Sequence, residues 1–113
     1  MDCDDPAAMA GSYGRLLGWE ITYRGGDNFI LMRDPAGGTG VSFQQVPGYQ
    51  PPVYREEPGH QTKMVHLDTR VTDLAAATVH ALACGARLAS HQGRDDLRVL
   101  LDPAGHPFCR FTI

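Results

Sequence analysis

Apolar and polar positions in the first half of the chain predict one helix followed by three short strands. Asp5 followed by Pro6 is typical of a helix start, with an N-cap and a proline in the first turn. An apolar stripe at helical spacing follows, and Gly18 ends it: Ala7, Ala8, Met9, Ala10, Tyr13, Leu16 and Leu17. Short apolar segments, the first with clear alternation, then predict strands over 19–24, 29–34 and 41–46.

The second half repeats this order and adds a strand in front of it. We predict a strand over 63–71, and then a helix that Asp73 caps and that runs to about Cys84, where Gly85 stops it. Three strands follow, over 87–91, 97–102 and 107–113. The second half therefore has the order β-α-β-β-β.

Two sequence anchors recur at one offset and indicate an internal repeat. The tetrapeptide Asp-Pro-Ala-Gly stands at 34–37 and again at 102–105, and Asp5 recurs as Asp73, so the offset is 102 − 34 = 73 − 5 = 68. Moving the 63–71 strand back by 68 leaves only the first three residues of the chain. We therefore expect no full strand before Asp5, because the first copy lacks most of its opening strand or the sequence begins late.

A proline-rich segment separates the two copies. Residues 47–62 hold four of the eight prolines and favour neither a helix nor a central strand. We predict a single domain over 1–113, with module one at 1–46, a connecting loop at 47–62 and module two at 63–113. The loop is either a bare tether or a segment that closes over a pocket with Tyr49, Tyr54 and His60.

Composition excludes several classes of protein. A net charge of −3 gives no basic patch for nucleic acid, and no apolar stretch approaches the roughly 20 residues of a membrane helix. The acidic N-terminus does not resemble a signal peptide. Three cysteines, an odd number at wide spacing, do not suggest a disulfide framework, so we expect free thiols and a cytoplasmic protein.

Four motifs in order carry a family resemblance. They are Leu-Leu-Gly-Trp-Glu at 16–20, Ser-Phe-Gln-Gln-Val-Pro at 42–47, His-Leu-Asp at 66–68 and Asp-Pro-Ala-Gly-His-Pro-Phe-Cys at 102–109. With the paired modules, they resemble the vicinal oxygen chelate superfamily of glyoxalase I, bleomycin-resistance proteins and extradiol dioxygenases, and above all its small glyoxalase-like domain proteins. The resemblance implies an α+β fold, in which two βαβββ modules in tandem form a curved mixed sheet around a central cavity.

Alternation along the 63–71 strand assigns its side chains to two faces. Three apolar residues suit the helix side: Val65, Leu67 and Val71. Three polar residues then point into the cavity: His66, Asp68 and Arg70. His66 is either a polar core residue satisfied by its neighbours, or a ligand-orienting donor or general base tuned by Asp68, which makes it the candidate catalytic residue.

The resemblance also implies where a metal would bind. Metal-dependent members carry ligands on the first and last strands of each module, and His66 matches one such position. The last-strand position, usually glutamate, falls on Cys109 here, and its counterpart in module one is Val41, or Ser42 after a one-residue slip. The fourth position would precede Met1. We therefore expect no cofactor, and a divalent metal at His66 is the alternative. Cys109 is more typical of a small buried apolar residue than of a nucleophile.

Further side chains are candidates for contacting a ligand in the cavity. Three aromatic residues could form an apolar wall, although aromatic residues at strand spacing also suit a core: Trp19, Phe43 and Tyr49. Gln44 or Gln45 could donate to a ligand, depending on the strand register. Arg98 alternates with Val99, and we place it among the residues that point to the cavity.

Three functions are weighed against this pattern. We expect a metal-free protein that binds a small organic molecule in a mostly apolar pocket, similar to the bleomycin-resistance branch. The alternatives are a metal-dependent lyase, isomerase or dioxygenase of the same superfamily, and a structural or dimerisation module with a vestigial pocket. A truncated first module leaves a sheet edge unpaired, so we also expect a homodimer.

Overall fold

The computed structural model describes residues 1–112, which form two compact units, one over 1–49 and one that begins at Gln50. The first unit contains β1 (Asp2–Cys3), α1 (Pro6–Leu17), β2 (Glu20–Gly25), β3 (Phe29–Arg33) and β4 (Gly40–Gln45). The second contains β5 (Leu67–Arg70), α2 (Leu74–Ala83), β6 (Arg87–Leu88), β7 (Leu97–Leu101) and β8 (Pro107–Phe111). The predicted pair of βαβββ modules is confirmed.

Each unit builds one four-stranded mixed sheet. The strand orders are β1-β4-β3-β2 and β5-β8-β7-β6, so the first strand of each unit pairs in parallel with the last. The short opening strand of the first unit is confirmed, because β1 contains two residues and pairs Asp2 with Gln44. Neither helix among residues 1–112 is long and apolar enough to cross a membrane.

Capping residues position both helices as the sequence predicts. The Asp5 carboxylate accepts a hydrogen bond from the Ala8 N–H at 3.0 Å, and the Asp73 carboxylate accepts one from Ala76 at 3.0 Å. Both bonds satisfy N–H groups that the first helical turn leaves without an internal partner. Gly18 ends α1 with a φ of 71°, a conformation that favours glycine.

The opening strand of the second unit is shorter than predicted. β5 covers Leu67–Arg70 instead of 63–71, because the ladder extends only where β8 supplies partners, from Phe108 to Phe111. β8 begins at Pro107, which has no N–H to continue the ladder. Val65, expected on the helix side, therefore lies outside the sheet with 74% of its surface exposed. The predicted end of β8 at Ile113 falls outside the described residues.

A side chain pairs with the backbone groups beyond the end of β6. The sequence predicts a strand over 87–91, whereas β6 stops at Leu88. The Gln92 amide accepts a hydrogen bond from the Val99 N–H at 3.0 Å and donates to the carbonyls of Ala89 and Val99 at 2.9 Å each. These are backbone groups that a longer ladder would pair, so the amide closes the sheet edge in place of further strand.

Candidate functional site

Strand register defines the face of the second sheet on which the candidate site lies. Asp68 on β5 and Val99 on β7 are both direct partners of Cys109 on β8, so their side chains share one face. We call this the site face. Alternate residues Phe108 and Arg110 lie on the opposite face, which packs against α2.

A cluster of three polar side chains lies at one end of this face. Donor atoms of His66, Asp68 and Cys109 all lie within 4.8 Å of one another. The His66 Nδ1 is 3.4 Å from an Asp68 carboxylate oxygen. The side chains of His66 and Asp68 are 38% and 52% exposed, whereas Cys109 is buried. We call these three residues the polar cluster, and two of them can reach a molecule in solvent.

Burial and a neighbouring carboxylate keep the Cys109 thiol protonated. Its pKa is raised to about 11, first by burial, then by the negative charge of Asp68 and the hydrogen bond to that carboxylate, while the Lys63 ammonium opposes the rise. Burial likewise raises the pKa of Cys3 in the first unit to about 11. Cys109 is thus a neutral donor at pH 7 and a poor nucleophile.

Alkylation should follow these pKa values. At pH 8 a thiol with a pKa of about 11 is roughly one part in a thousand thiolate, so iodoacetamide should label native Cys109 slowly. Its rate should rise about tenfold per pH unit between pH 8 and 10. Asp68→Asn should accelerate Cys109 and leave Cys3 unchanged in the same sample, measured by mass spectrometry of peptides. A Cys109 rate that levels off below pH 9 would contradict the protonated thiol.

An apolar cluster continues the site face beyond the polar cluster. Buried Ala89, Val99 and Cys109 form it, and Leu97 and Leu101 pack against it. The Tyr54 side chain also packs there, although it comes from the predicted connecting loop. The site face therefore combines an apolar surface with a few polar groups at its end.

Sequence reasoning missed a group of side chains around Tyr54. The Lys63 ammonium lies 5.5 Å from the centroid of the Tyr54 ring and forms an ion pair with Glu56. Tyr54 was considered for a loop that closes over a pocket, whereas Lys63 was expected only as the first residue of a strand and Glu56 had no assigned role. Only the folded path of residues 53–63 brings them to the site face.

Phe43 lies in a core and not on a ligand-accessible wall. Its ring is fully buried and stacks on Tyr13 of α1 with centroids 5.4 Å apart, and the buried Ile30 and Met32 complete this core. Residues of β4 next to Phe43 then face away from α1, among them Ser42 and the exposed Gln44.

The register also decides between Val41 and Ser42. Val41 pairs with Met32 on the face that packs against α1, whereas Ser42 pairs with Leu31 on the opposite face. Cys109 likewise lies on the face of the second sheet that is turned away from its helix. Ser42 is therefore the counterpart of Cys109, and the repeat offset at the last strands is 67.

Arg98 points away from the site face. It pairs in register with Arg110, on the face that packs against α2, and its guanidinium donates to the carbonyls of Arg94, Asp95 and Leu97 at 2.8–3.2 Å. Trp19, Gln44 and Tyr49 belong to the first unit. Trp19 and Tyr49 are half-buried, and Gln44 is exposed. The structure thus brings together His66, Asp68 and Cys109 among the predicted site residues.

The polar cluster offers a donor set that a soft divalent ion could use. Ligands about 2.0 Å from a tetrahedral zinc ion lie roughly 3.3 Å apart, close to the 3.4 Å between His66 and Asp68. A thiolate at Cys109 would favour zinc over magnesium or calcium. The thiol must first lose its proton, and its raised pKa opposes that loss at neutral pH.

Comparisons with known proteins agree with this fold. The model of the glyoxalase-like domain family matches residues 1–111. A glyoxalase/bleomycin resistance protein/dioxygenase family enzyme from Burkholderia phytofirmans PsJN is 19% identical, with a TM-score of 0.72 over 100% of this chain and 94% of that one. A possible glyoxalase from Bacillus cereus is 14% identical, with a TM-score of 0.71 over 98% and 92%.

A third solved structure is similar at a lower score. The lactoylglutathione lyase from Agrobacterium tumefaciens is 12% identical, with a TM-score of 0.64 over 99% of this chain and 88% of that one. No curated protein matches the chain. Identities this low carry the fold and not the chemistry. The family match over 1–111 and the tandem βαβββ units together place the chain in the glyoxalase-like domain family of the vicinal oxygen chelate superfamily.

Proposed function

We propose that this glyoxalase-like domain binds a small organic molecule on the site face of its second unit, without a resident metal ion. The observation that carries the proposal is the meeting of the polar cluster with the apolar cluster on one sheet face. Ligand sites combine an apolar surface with a few polar groups that fix orientation. Asp68 and His66 supply those groups, and the partly buried Leu97 and Leu101 beside Val99 supply apolar surface.

Each member of the polar cluster has a distinct role in such binding. The Asp68 carboxylate is 52% exposed and accepts a hydrogen bond from a ligand N–H or O–H. His66, in contact with Asp68, orients a second polar group of the ligand. The neutral Cys109 thiol donates to Asp68 and keeps that carboxylate facing the ligand. These roles are binding roles, and none of them requires a reaction.

Binding should depend on the polar cluster. We expect native mass spectrometry of the protein against a panel of small aromatic and heteroaromatic compounds to reveal a 1:1 complex. His66→Ala and Asp68→Asn should each weaken it about tenfold, the effect of one charge-assisted hydrogen bond. His91→Ala is the matched control, since His91 is exposed in the loop after β6. A panel without a binder, or binding equal in His66→Ala and His91→Ala, would overturn the proposal.

A metal-dependent lyase, isomerase or dioxygenase is the second candidate, and the convergence of three donors favours it. His66, Asp68 and Cys109 would hold the ion, and a bound ion would polarise a substrate oxygen. The same spectra separate the two candidates. One zinc ion per chain after exposure to zinc and dialysis, lost in His66→Ala and in Cys109→Ser, would replace the metal-free proposal with the metal-dependent one.

Homodimer formation and a cytoplasmic location stay predictions from the sequence. The dimer can be measured by sedimentation at micromolar concentration, where a monomer would contradict it.

A further inference from the structure

Residues 51–63 form a loop that places Tyr54 against the apolar cluster of the site face, and we call this loop the strap. The Val53 N–H donates to the Gln61 carbonyl at 2.8 Å and joins the two arms of the loop. The ion pair of Lys63 with Glu56 ties the arms a second time. A loop whose two arms are joined in this way has a defined conformation and is more than a flexible linker.

The strap is fitted to the second sheet at its other end. Pro51 lies over the turn between β7 and β8, at Gly105. A Cβ on Gly105 would lie 2.9 Å from the Pro51 Cβ, closer than real Cβ contacts, and the φ of Gly105 is +86°. Glycine therefore meets two requirements there, the left-handed turn and the close approach of the strap.

The strap holds one aromatic ring over the apolar cluster. Tyr54 packs against the cluster of Ala89, Val99 and Cys109, and the Lys63 ammonium lies 5.5 Å from its ring centroid. A cation at this distance from an aromatic ring attracts it. The ring is thus held by apolar contact with the cluster and by a cation that is itself paired with Glu56.

We propose that Tyr54 determines which ligands the site accepts, by filling the apolar part of the site face and so setting an upper limit on the ligand's apolar group. This inference rests on the proposed ligand site. A small ligand binds beside the ring at His66 and Asp68. A bulky apolar group must displace the ring and give up its contacts with the apolar cluster, worth about tenfold in affinity for an aromatic packing contact.

The test uses a bulky fluorescent probe, 8-anilinonaphthalene-1-sulfonate. Tyr54→Ala should bind one probe molecule per chain about tenfold more tightly than the native protein. Tyr54→Phe keeps the ring and should behave as native. Glu56→Gln loosens the tie to Lys63 and should give a smaller increase. Tyr23→Ala is the matched control, because Tyr23 is 58% exposed in the first unit.

The position of the probe is measured through the cysteines. Probe bound where the Tyr54 ring lay should protect Cys109 from iodoacetamide at pH 10 and leave Cys3 unprotected. Native labelling rates of the buried Cys3 and Cys84 in Tyr54→Ala without probe separate this result from loosening of the whole core. Equal probe affinity in Tyr54→Ala and native protein, or equal protection of both cysteines, would overturn the inference.

This outcome is separable from the proposed function. Ligand binding that needs His66 while Tyr54→Ala leaves probe affinity unchanged would refute the size limit alone. Site-specific probe binding in Tyr54→Ala, with no His66-dependent ligand in the native protein, would refute the proposed function alone and leave Tyr54 as the residue that limits access to the face.

Discussion

Phe43→Ala is expected to lower the free energy of unfolding by about 3–5 kcal/mol, the usual cost of deleting a buried aromatic ring. Phe43 has no exposed surface and stacks on Tyr13 with centroids 5.4 Å apart. Buried Ile30 lies directly opposite Phe43 in the ladder, and Met32 shares the same face. Closely packed neighbours collapse only in part, so the variant keeps a cavity beneath α1. Urea unfolding followed by circular dichroism measures the loss.

Phe29→Ala is the matched control for this prediction. Phe29 is a phenylalanine in the same sheet, half-buried on the opposite face and in edge contact with Tyr23 at 6.2 Å. Phe29→Ala should lower the free energy of unfolding by less than about half as much as Phe43→Ala does, because less apolar surface returns to water. Equal losses in the two variants would contradict the position of Phe43 in the core beneath α1.

Signals local to the sequence predicted most of the fold. Asp5, Asp73 and Gly18 mark helix ends through hydrogen bonds and backbone angles of their own segment, and all three predictions are confirmed. The repeat predicted the order of strands along the chain, because the turn residues that separate the strands lie within each copy. Strand ends were less accurate. The start of β5 depends on where β8 begins, 40 residues away along the chain. The alternation of residues within β5 does not contain this information.

Which side chains of a strand face the helix depends on the pairing register, and the sequence predicted the register less accurately. The turn after Asp34 reaches β4 at Gly40, six residues on, whereas the turn after Asp102 reaches β8 at Pro107, five residues on. This extra residue moves every side chain of β4 to the other face relative to a constant offset of 68. The constant offset therefore placed Val41 opposite Cys109 in the repeat, and only the one-residue slip gives Ser42. Phe43 was left open between a wall and a core, and the register assigns it to the core.

The candidate site was predicted in part for a related reason. The family resemblance pointed to His66 and Cys109, and alternation added Asp68. The structure brings these three side chains together, with His66 directly before β5. Arg98 alternates with Val99 as predicted but lies on the opposite face from Cys109, because alternation alone does not say which set of side chains lies on the site face. Tyr54 and Lys63 reach the site face through an irregular loop, whose path follows from contacts that no periodic pattern records.

Asp102→Ala is expected to lower the free energy of unfolding by about 2–4 kcal/mol, because it leaves buried N–H groups without their acceptor. Asp102 is 1% exposed, and one carboxylate oxygen accepts hydrogen bonds from the N–H groups of Ala104 at 2.9 Å and His106 at 3.0 Å. These bonds shape the turn that leads into β8, and so place Cys109 on the site face. Water cannot easily replace them, because Ala104 is only 5% exposed.

The repeat supplies the control, since Asp34 opens the same tetrapeptide in the first unit. Its carboxylate accepts one bond, from the Ala36 N–H at 2.9 Å, in an exposed setting where water can substitute. Asp34→Ala should therefore cost about 1 kcal/mol or less. Urea unfolding of the two variants measures the difference. Equal costs would mean that burial at Asp102 adds nothing. A native Asp102→Ala stability would mean that the turn holds without its carboxylate, because its backbone bond from the Gly105 N–H to the Asp102 carbonyl suffices.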